Sequence, residues 1–260
     1  WHIQFSRAGF EANISLFFVV LGAYFFFKGL KKYKHYLFSF IFFALACYGY
    51  RSVHVFLPVL LLGFFMAWKK ELVKNGLYKV GLGVFLFGFL IVPLLNPLMH
   101  EGASRFQQTS ISIRVNEVAL NNFQKGIYTN LKVLYGKIFL QNYISQFSPQ
   151  FLFTSGDPNG RHSPRGMGLL YLWEIPFLLT GLYVVFKYFS FPVKITMLTW
   201  LLVAPLPAAL SVPAPHALRS LNILPIPQIL TAIGVFYIFF TFTKSIRKLY
   251  VVTLILLIVL

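Results

Sequence analysis

Acidic residues are scarce in this sequence of 260 residues, which has 6 Asp and Glu against 23 Lys and Arg. Charged residues of both signs make up only 11% of the chain, where soluble proteins have about 25%. No two carboxylates lie close enough in the sequence to suggest a pair for acid–base catalysis. The single cysteine, Cys47, lies in an apolar run, which excludes a disulfide framework or a cysteine metal cluster. The motifs of P-loop, dinucleotide-binding, zinc-protease and serine-hydrolase sites are also absent.

Apolar residues are abundant: they make up 58% of the chain, and phenylalanine alone occurs 31 times. This composition predicts an integral membrane protein. The net charge of +17 would suggest a nucleic-acid partner in a soluble protein. Here the basic residues form clusters between apolar runs, a pattern that favours membrane topology and contact with anionic lipid. We therefore expect no nucleic-acid partner.

Hydropathy predicts an all-α fold, a polytopic transmembrane helical bundle of about eight spans. The chain begins at Trp1 and ends inside an apolar run too short to cross a bilayer, so we expect a fragment of a longer protein. The predicted spans are Ile14–Phe27, Tyr36–Tyr48, Val55–Trp68, Leu77–Leu98, Leu169–Tyr188, Ile195–Leu210, Leu221–Phe242 and the truncated Tyr250–Leu260.

Lysine clusters predict the orientation of these spans, because the connections richest in Lys and Arg face the cytoplasm. The short connections on the opposite face carry only Arg7, Arg51 and Arg219, and five of the six acidic residues fall on or near that face. We therefore expect the lysine-rich face to be cytoplasmic. Its basic residues are Lys28, Lys31, Lys32, Lys34, Lys69, Lys70, Lys74, Lys187, Lys194, Lys244, Arg247 and Lys248.

A polar segment of about seventy residues, His100–Gly168, interrupts the apolar runs. It divides the chain into spans 1–4 (residues 1–98), an extracytoplasmic loop (99–168) and spans 5–8 (169–260). Apolar residues at steps of three to five predict one amphipathic helix within Asn116–Asn142. We expect it to lie parallel to the membrane with Phe123, Ile127 and Leu134 facing the bundle or lipid. A helix that simply packs across the bundle fits the pattern equally well.

Two polar places on the outer face lie beside the first three spans. Arg7 and Glu11 are four residues apart, so on one helix they would share a face and could form an ion pair. Arg51 and His54 lie between two short spans. An interfacial arginine that snorkels to the headgroups explains this second place as well as a functional role does.

A third polar place surrounds the turn sequence Gly-Asp-Pro-Asn-Gly, which contains Asp157. A turn alone does not require Arg161, His162 and Arg165, which come after it and directly precede an apolar run. Guanidinium groups bind phosphate bidentately, and histidine exchanges protons near neutral pH. These residue types indicate a phosphate-binding site.

The fourth polar place holds His216 and Arg219 in a proline-rich stretch between two spans. One helical turn would put both on one face at headgroup depth, where ionisable groups are costly and often functional. If the four places form one site, at least two of their basic groups should converge on one cavity, since like charges gather only around an anion.

Four stretches of the sequence resemble the polyprenyl-phosphate-sugar-dependent glycosyltransferases of the GT-C fold. This group includes the protein O-mannosyltransferases, the lipid A aminoarabinose transferases and the bacterial Rgt-type transferases. The resemblance covers most of the chain and depends on the order and spacing of motifs. The stretches are WHIQFSRAGFEANISLFF, YGYRSVHVFLPVLLL, FLFTSGDPNGRHSPRGMGLLYLWEIPFLLTGL and PHALRSLNILPIPQILTAIG.

The resemblance implies an enzyme that moves a sugar from a polyprenyl-phosphate donor to a glycan, lipid or protein acceptor outside the plasma membrane. The principal catalytic carboxylate is expected upstream of residue 1, so this fragment alone is expected to be inactive. His162 and His216 would orient groups or donate protons, and the arginines would stabilise the phosphate as it leaves. The residues expected at the donor are Arg7, Glu11, Arg51, Asp157, Arg161, His162, Arg165, His216 and Arg219.

Other membrane functions remain open at this point. An O-antigen ligase or polymerase also binds a carrier lipid and has a large outer loop with arginines. A transporter or lipid flippase is expected to show paired interrupted spans or internal repeats, and the sequence shows no convincing repeat. A structural membrane subunit is a further alternative. No cofactor is evident, and use of a divalent metal ion stays open.

Overall fold

The computed structural model describes residues 2–7, 9–97, 108–128, 130–164 and 166–242, and this part of the chain is helical, with one isolated β-bridge between Ser110 and Ser211. Arg165, the cluster from Lys244 to Lys248 and the predicted span Tyr250–Leu260 lie outside the described residues. The helices in chain order are α1 (His2–Arg7), α2 (Glu11–Gly29), α3 (His35–Gly49), α4 (Ser52–Ala67), α5 (Lys69–Asn75), α6 (Leu77–Pro97), α7 (Ile111–Gln124), α8 (Leu131–Ser145), α9 (Ile175–Tyr188), α10 (Phe191–Val203), α11 (Leu206–Ala209) and α12 (Pro225–Phe242).

Four apolar helical stretches of the described chain are long enough to cross a membrane: Glu11–Gly29, Leu77–Asn96, Phe191–Ala209 and Leu221–Thr241. A fifth is added if α4 and α5, which meet at a bend of 78°, count as one span. Helices α3 and α9 have 15 and 14 residues, about 21–22 Å at 1.5 Å per residue, short of the roughly 30 Å of a bilayer core. The predicted all-α class is confirmed for the described residues, and these helices could cross a membrane, whereas the count of eight spans is not confirmed.

Helices α2 and α3 form a tightly packed antiparallel pair. Small residues recur on α2 every seven positions, and the rings of Phe43 and Tyr36 lie directly against Gly22 and Gly29. The Ser39 hydroxyl donates a hydrogen bond to the Gly22 carbonyl at 2.7 Å. Close approach through small residues and hydroxyl–carbonyl bonds is the usual way in which apolar helices associate where no water drives them together.

The lysine clusters between the first helices gather at one end of the bundle. The Asn75 side chain donates to the Leu30 carbonyl at 2.6 Å, which joins the end of α5 to the end of α2. The Lys79 ammonium lies 4.9 Å from the ring centroid of Tyr33 in the connection between α2 and α3. Phe10, at the opposite end of α2, packs against His162. The lysine-rich end and His162 are therefore separated by the length of α2, about 28 Å.

Helical structure within Asn116–Asn142 is confirmed, but the helical residues described there belong to two α-helices, α7 and α8, and not to one. Helix α7 ends at Gln124, and Gly126 takes a φ of +72° in the connection, a conformation that suits glycine. Asn130 then caps α8 by accepting from the Lys132 amide at 3.0 Å. Phe123 is 79% exposed, so it does not pack on the described bundle.

Helices α7 and α8 pack on each other through Ile111, Val115 and Ile138, all of which are buried. Polar contacts fix the pair to the chain around residue 210. The Ile111 amide donates to the Leu210 carbonyl at 3.1 Å, and the Asn142 side chain donates to the Ala209 carbonyl at 3.3 Å. This attachment brings the end of α8 next to the connection between α11 and α12.

Candidate functional site

The predicted turn around Asp157 is confirmed as a tightly folded loop. The Asn159 amide donates to Asp157 Oδ1 at 2.8 Å, and the Ser163 hydroxyl bonds to both the amide and the carbonyl of Asp157 at 2.9 and 3.0 Å. Gly156 has a φ of +70°, and a Cβ there would overlap the Met167 carbonyl and the Ser163 side chain. Glycine is therefore required, and the loop presents the Asp157 carboxylate in one orientation.

The Asp157 carboxylate joins the loop to the connection before α12. Its Oδ2 accepts from the Ala217 amide at 2.7 Å and from His162 Nδ1 at 3.0 Å. His216 Nδ1 lies 3.9 Å from the same oxygen. The Asp157 side chain is only 4% exposed, so these contacts replace nearly all of its hydration.

The two histidine rings lie against each other beneath an apolar cover. Their ring centroids are 4.8 Å apart, and the rings of Phe5 and Phe10 each lie 5.8 Å from that of His162. Phe5 is fully buried and belongs to the apolar cluster formed by the start of α2, the loop and the residues before α12. Helix α1 thus closes the site on one side.

Burial and hydrogen bonding set the charges of the cluster. Burial alone would raise the pKa of Asp157, but hydrogen bonds from His162 and from the Ala217 and Asn159 amides outweigh it and lower that pKa. Burial, and then the positive charge of Arg219, lower the pKa of His216 to about 4. At neutral pH Asp157 is therefore ionised and His216 is neutral. His216 Nδ1 is buried and makes no hydrogen bond to the described residues.

Arg219 lies half-buried beside this cluster. One guanidinium nitrogen donates to the Val212 carbonyl at 2.9 Å. Burial lowers the pKa of Arg219, and the nearby Tyr50 and Asp157 act in the opposite direction; arginine stays charged in such surroundings. Burial also raises the pKa of Tyr50. The positive charge of Arg219 lowers this pKa, and the negative charge of Glu11 raises it. Tyr50 thus lies within electrostatic reach of both charged groups.

The structure brings together the polar places that contain His162 and His216, whereas those that contain Arg7 and Arg51 contribute no side chain to the Asp157 cluster. His162 and His216 meet at Asp157, and a single helical turn, closed by the Ser220 amide on the His216 carbonyl at 3.2 Å, holds Arg219 nearby. The expected anion between these basic groups is therefore the chain's own carboxylate. The remaining predicted arginines within the described residues are exposed and form no ion pair there: Arg7, Arg51 and Arg161.

The predicted ion pair between Arg7 and Glu11 is wrong, because the two residues do not share a helix. Helix α1 ends at Arg7, the chain turns at Gly9 with a φ of +65°, and α2 begins at Glu11. The Asn13 side chain bridges the break by donating to the Ser6 hydroxyl at 2.9 Å. Glu11 remains near the site only through Tyr50.

Gln146 is a site residue that the sequence did not indicate. It is almost fully buried at the end of α8, and its side-chain carbonyl accepts from the His216 amide at 3.2 Å. A glutamine in a polar segment carries no special pattern, so only the packing of α8 against the connection before α12 gives it this role. It holds the backbone from which His216 projects.

An open cleft of about 280 Å³ lies next to the backbone that Arg219 contacts. Arg114 and Glu117 on α7 supply its charged groups. Its other lining residues are Ile113, Val212, Pro213 and Ala214. The cleft adjoins Arg219 through Val212, which lines it and whose carbonyl accepts from the Arg219 guanidinium.

These observations define an all-helical protein with apolar helices that could cross a membrane and a buried Asp–His–His cluster at one end. Among the residues that the structure describes, Asp157, His162 and His216 could hold a metal ion, since their ligand atoms lie within 4.8 Å of one another. No protein-family model, curated protein sequence or solved structure matches the chain.

Proposed function

We propose that this protein is a membrane glycosyltransferase that moves a sugar from a polyprenyl-phosphate donor to an acceptor outside the plasma membrane. In this proposal the chain crosses the membrane about eight times, with the lysine-rich end in the cytoplasm and residues 99–168 outside. The observation that carries the proposal is the half-buried Arg219 beside the Asp157 cluster, about one helix length from the lysine-rich end.

The position of Arg219 suits a lipid-linked phosphate. The prenyl chain would lie along the apolar helices, and the phosphate would reach the helix ends, where Arg219 offers charge-assisted hydrogen bonds. During transfer the acceptor hydroxyl loses its proton to water as its oxygen forms a bond to the anomeric carbon, the bond from that carbon to the phosphate oxygen breaks, and the lipid phosphate leaves with the electron pair. A guanidinium group stabilises the charge that grows on the leaving oxygen.

Other residues would complete the binding of donor and acceptor in this proposal. Gln146 and Asp157 hold the backbone of residues 216 and 217, which keeps Arg219 in place. The exposed Arg51 and Arg161, together with Arg165, would add positive charge that attracts the donor. The cleft beside Arg114 and Glu117 is the candidate acceptor site, because these two side chains would donate to and accept from the hydroxyl groups of an acceptor sugar.

Arg219→Ala is expected to reduce sugar transfer about 100-fold, the usual loss when one donor to a developing charge is removed. The assay follows labelled sugar from a synthetic polyprenyl-monophosphate donor in nanodiscs that hold the full-length protein. Arg219→Lys keeps the charge without the bidentate geometry, so it should retain intermediate activity. Lys31→Ala, at the opposite end, should transfer sugar normally.

Three outcomes would contradict the proposal. Near-normal transfer by Arg219→Ala would remove Arg219 from the site. Transfer only from a polyprenyl-diphosphate glycan would indicate the ligase or polymerase class. Movement of the lipid across the bilayer without cleavage of the sugar–phosphate bond would indicate a flippase.

A further inference from the structure

The Asp157 cluster has the composition of a transition-metal site. Two imidazoles and one carboxylate are the ligand types that zinc and its neighbours accept, whereas magnesium and calcium take mainly oxygen ligands. All three side chains come from irregular segments: Asp157 and His162 from the loop after α8, and His216 from the connection before α12. No continuous helix or strand accounts for their meeting.

The distances between the ligand atoms suit one small cation. In tetrahedral zinc sites the metal–ligand bonds are about 2.0–2.2 Å, which places ligand atoms roughly 3.4 Å apart. Asp157 Oδ2 lies 3.0 Å from His162 Nδ1 and 3.9 Å from His216 Nδ1, values on either side of that separation. The ligand atoms of the cluster all lie within 4.8 Å of one another, so the histidine side chains would approach each other by up to about 1.4 Å when all three atoms bind one tetrahedral ion.

The hydrogen bonds within the cluster do not account for His216. Its Nδ1 is buried and lacks a hydrogen-bond partner among the described residues, although its ring packs on that of His162. Buried polar atoms are nearly always partnered, so a native structure that leaves one out requires an explanation. A cation that accepts the Nδ1 lone pair supplies one.

The surroundings resemble the supporting shell of a metal site. Metal-binding carboxylates are usually held by further hydrogen bonds that fix their orientation. Here the Ala217 amide and the Asn159 amide hold the two oxygens of Asp157, and the Ser163 hydroxyl holds its backbone. Phe5 and Phe10 cover His162 on the apolar side, which keeps water from the imidazole.

We propose that Asp157, His162 and His216 bind one divalent transition-metal ion, zinc by the chemistry of its ligands. The ion would join the loop 155–168 to the connection 212–220 and fix the position of Arg219. This inference goes beyond the proposed sugar transfer, and its test measures bound metal, so either conclusion can fail without the other.

The test uses the full-length protein in detergent, stripped with a chelator and then dialysed against a small excess of zinc. Elemental analysis should find about one zinc ion per chain, as a specific site of this kind requires. Zinc content should fall about tenfold or more in His162→Ala and in His216→Ala, since losing a ligand costs at least as much as losing a supporting residue. His35→Ala, which removes a histidine at the opposite end, is the matched control and should keep the ion.

Cobalt substitution and hydrogen exchange provide readouts that do not depend on the variants. Cobalt bound to the wild type should give the visible absorption bands of a low-coordinate site. Chelation should speed amide exchange in 155–168 and 212–220, and zinc should restore protection. Absence of zinc and cobalt from the wild type, equal metal content in His162→Ala, or loss of the ion from His35→Ala alone would each overturn the proposal.

Discussion

Asp157→Ala is expected to destabilise the loop 155–168 by about 2–6 kcal/mol, because it leaves two buried hydrogen-bond donors without an acceptor at about 1–3 kcal/mol each. The substitution leaves the Ala217 amide, the Asn159 amide and His162 Nδ1 without their acceptor. Ala217 and His162 are buried, so water does not replace the hydrogen bonds that their donors lose. Hydrogen exchange by mass spectrometry should show rapid exchange in peptides that cover 155–168 and 216–220. Sugar transfer should fall below detection in the same variant.

Asp157→Asn removes the negative charge of the side chain but keeps nearly the same size and shape. The amide can still accept one hydrogen bond but presents an NH₂ group to another donor, so the loss of protection should be smaller than in the alanine variant. Glu117→Ala removes an exposed carboxylate on α7 and should change stability by less than about 0.5 kcal/mol. Unchanged exchange of 216–220 in Asp157→Ala would show that the carboxylate does not hold the two segments together.

Gly181→Ala and Gly234→Ala are expected to separate α9 from α12. A Cβ at Gly181 would overlap the Leu230 carbonyl, and one at Gly234 would overlap the Phe177 carbonyl. Both obstacles are backbone atoms, so no change of rotamer relieves them, and the helices must move apart. Each substitution should cost about 3 kcal/mol or more, at the upper end of what overpacking costs. Loss of helical signal against temperature, or against a denaturing detergent, measures the effect.

Two other helical glycines provide controls of the same chemistry. Gly81 and Gly88 on α6 have no atom within 4 Å of a Cβ built on them. Alanine at either position should be neutral or stabilising by up to about 1 kcal/mol, because alanine favours the helix. A Gly234→Ala protein as stable as Gly88→Ala would mean that α9 and α12 do not make this close contact.

The helical class could be predicted because composition and long apolar runs are properties of contiguous stretches of the sequence, which need no knowledge of distant contacts. The same holds for the turn at Asp157, where Gly, Pro and Asn occupy positions that a turn favours. The helix expected within Asn116–Asn142 is present but interrupted, because apolar spacing continues across Gly126 while the backbone turns there. The Arg7–Glu11 pair failed for a related reason, since spacing of four is informative only within one helix.

The meeting of His162 with His216 could be anticipated only in part. His162 stands out in the sequence because a turn does not require it and histidine exchanges protons near neutral pH, and His216 stands out because ionisable groups at headgroup depth are costly. Their convergence was expected to require a bound anion, and the sequence did not indicate that Asp157 would fill that position. Sixty residues separate Asp157 from the Ala217 amide that binds it, and Gln146 reaches the site from a third segment. Contacts over such distances depend on how α8 packs, which no local pattern encodes.

The separation between Asp157 and Ala217 also affects how the protein matures during synthesis. At about 5–20 residues per second, the ribosome adds the sixty residues between them in roughly 3–12 seconds. Throughout this time the Asp157 carboxylate lacks the Ala217 amide and His216 as partners. The loop therefore stays solvated and accessible until residues 216 and 217 have been added. We therefore expect nascent chains halted before residue 216 to be cleaved in 155–168 by proteases that leave the finished protein intact.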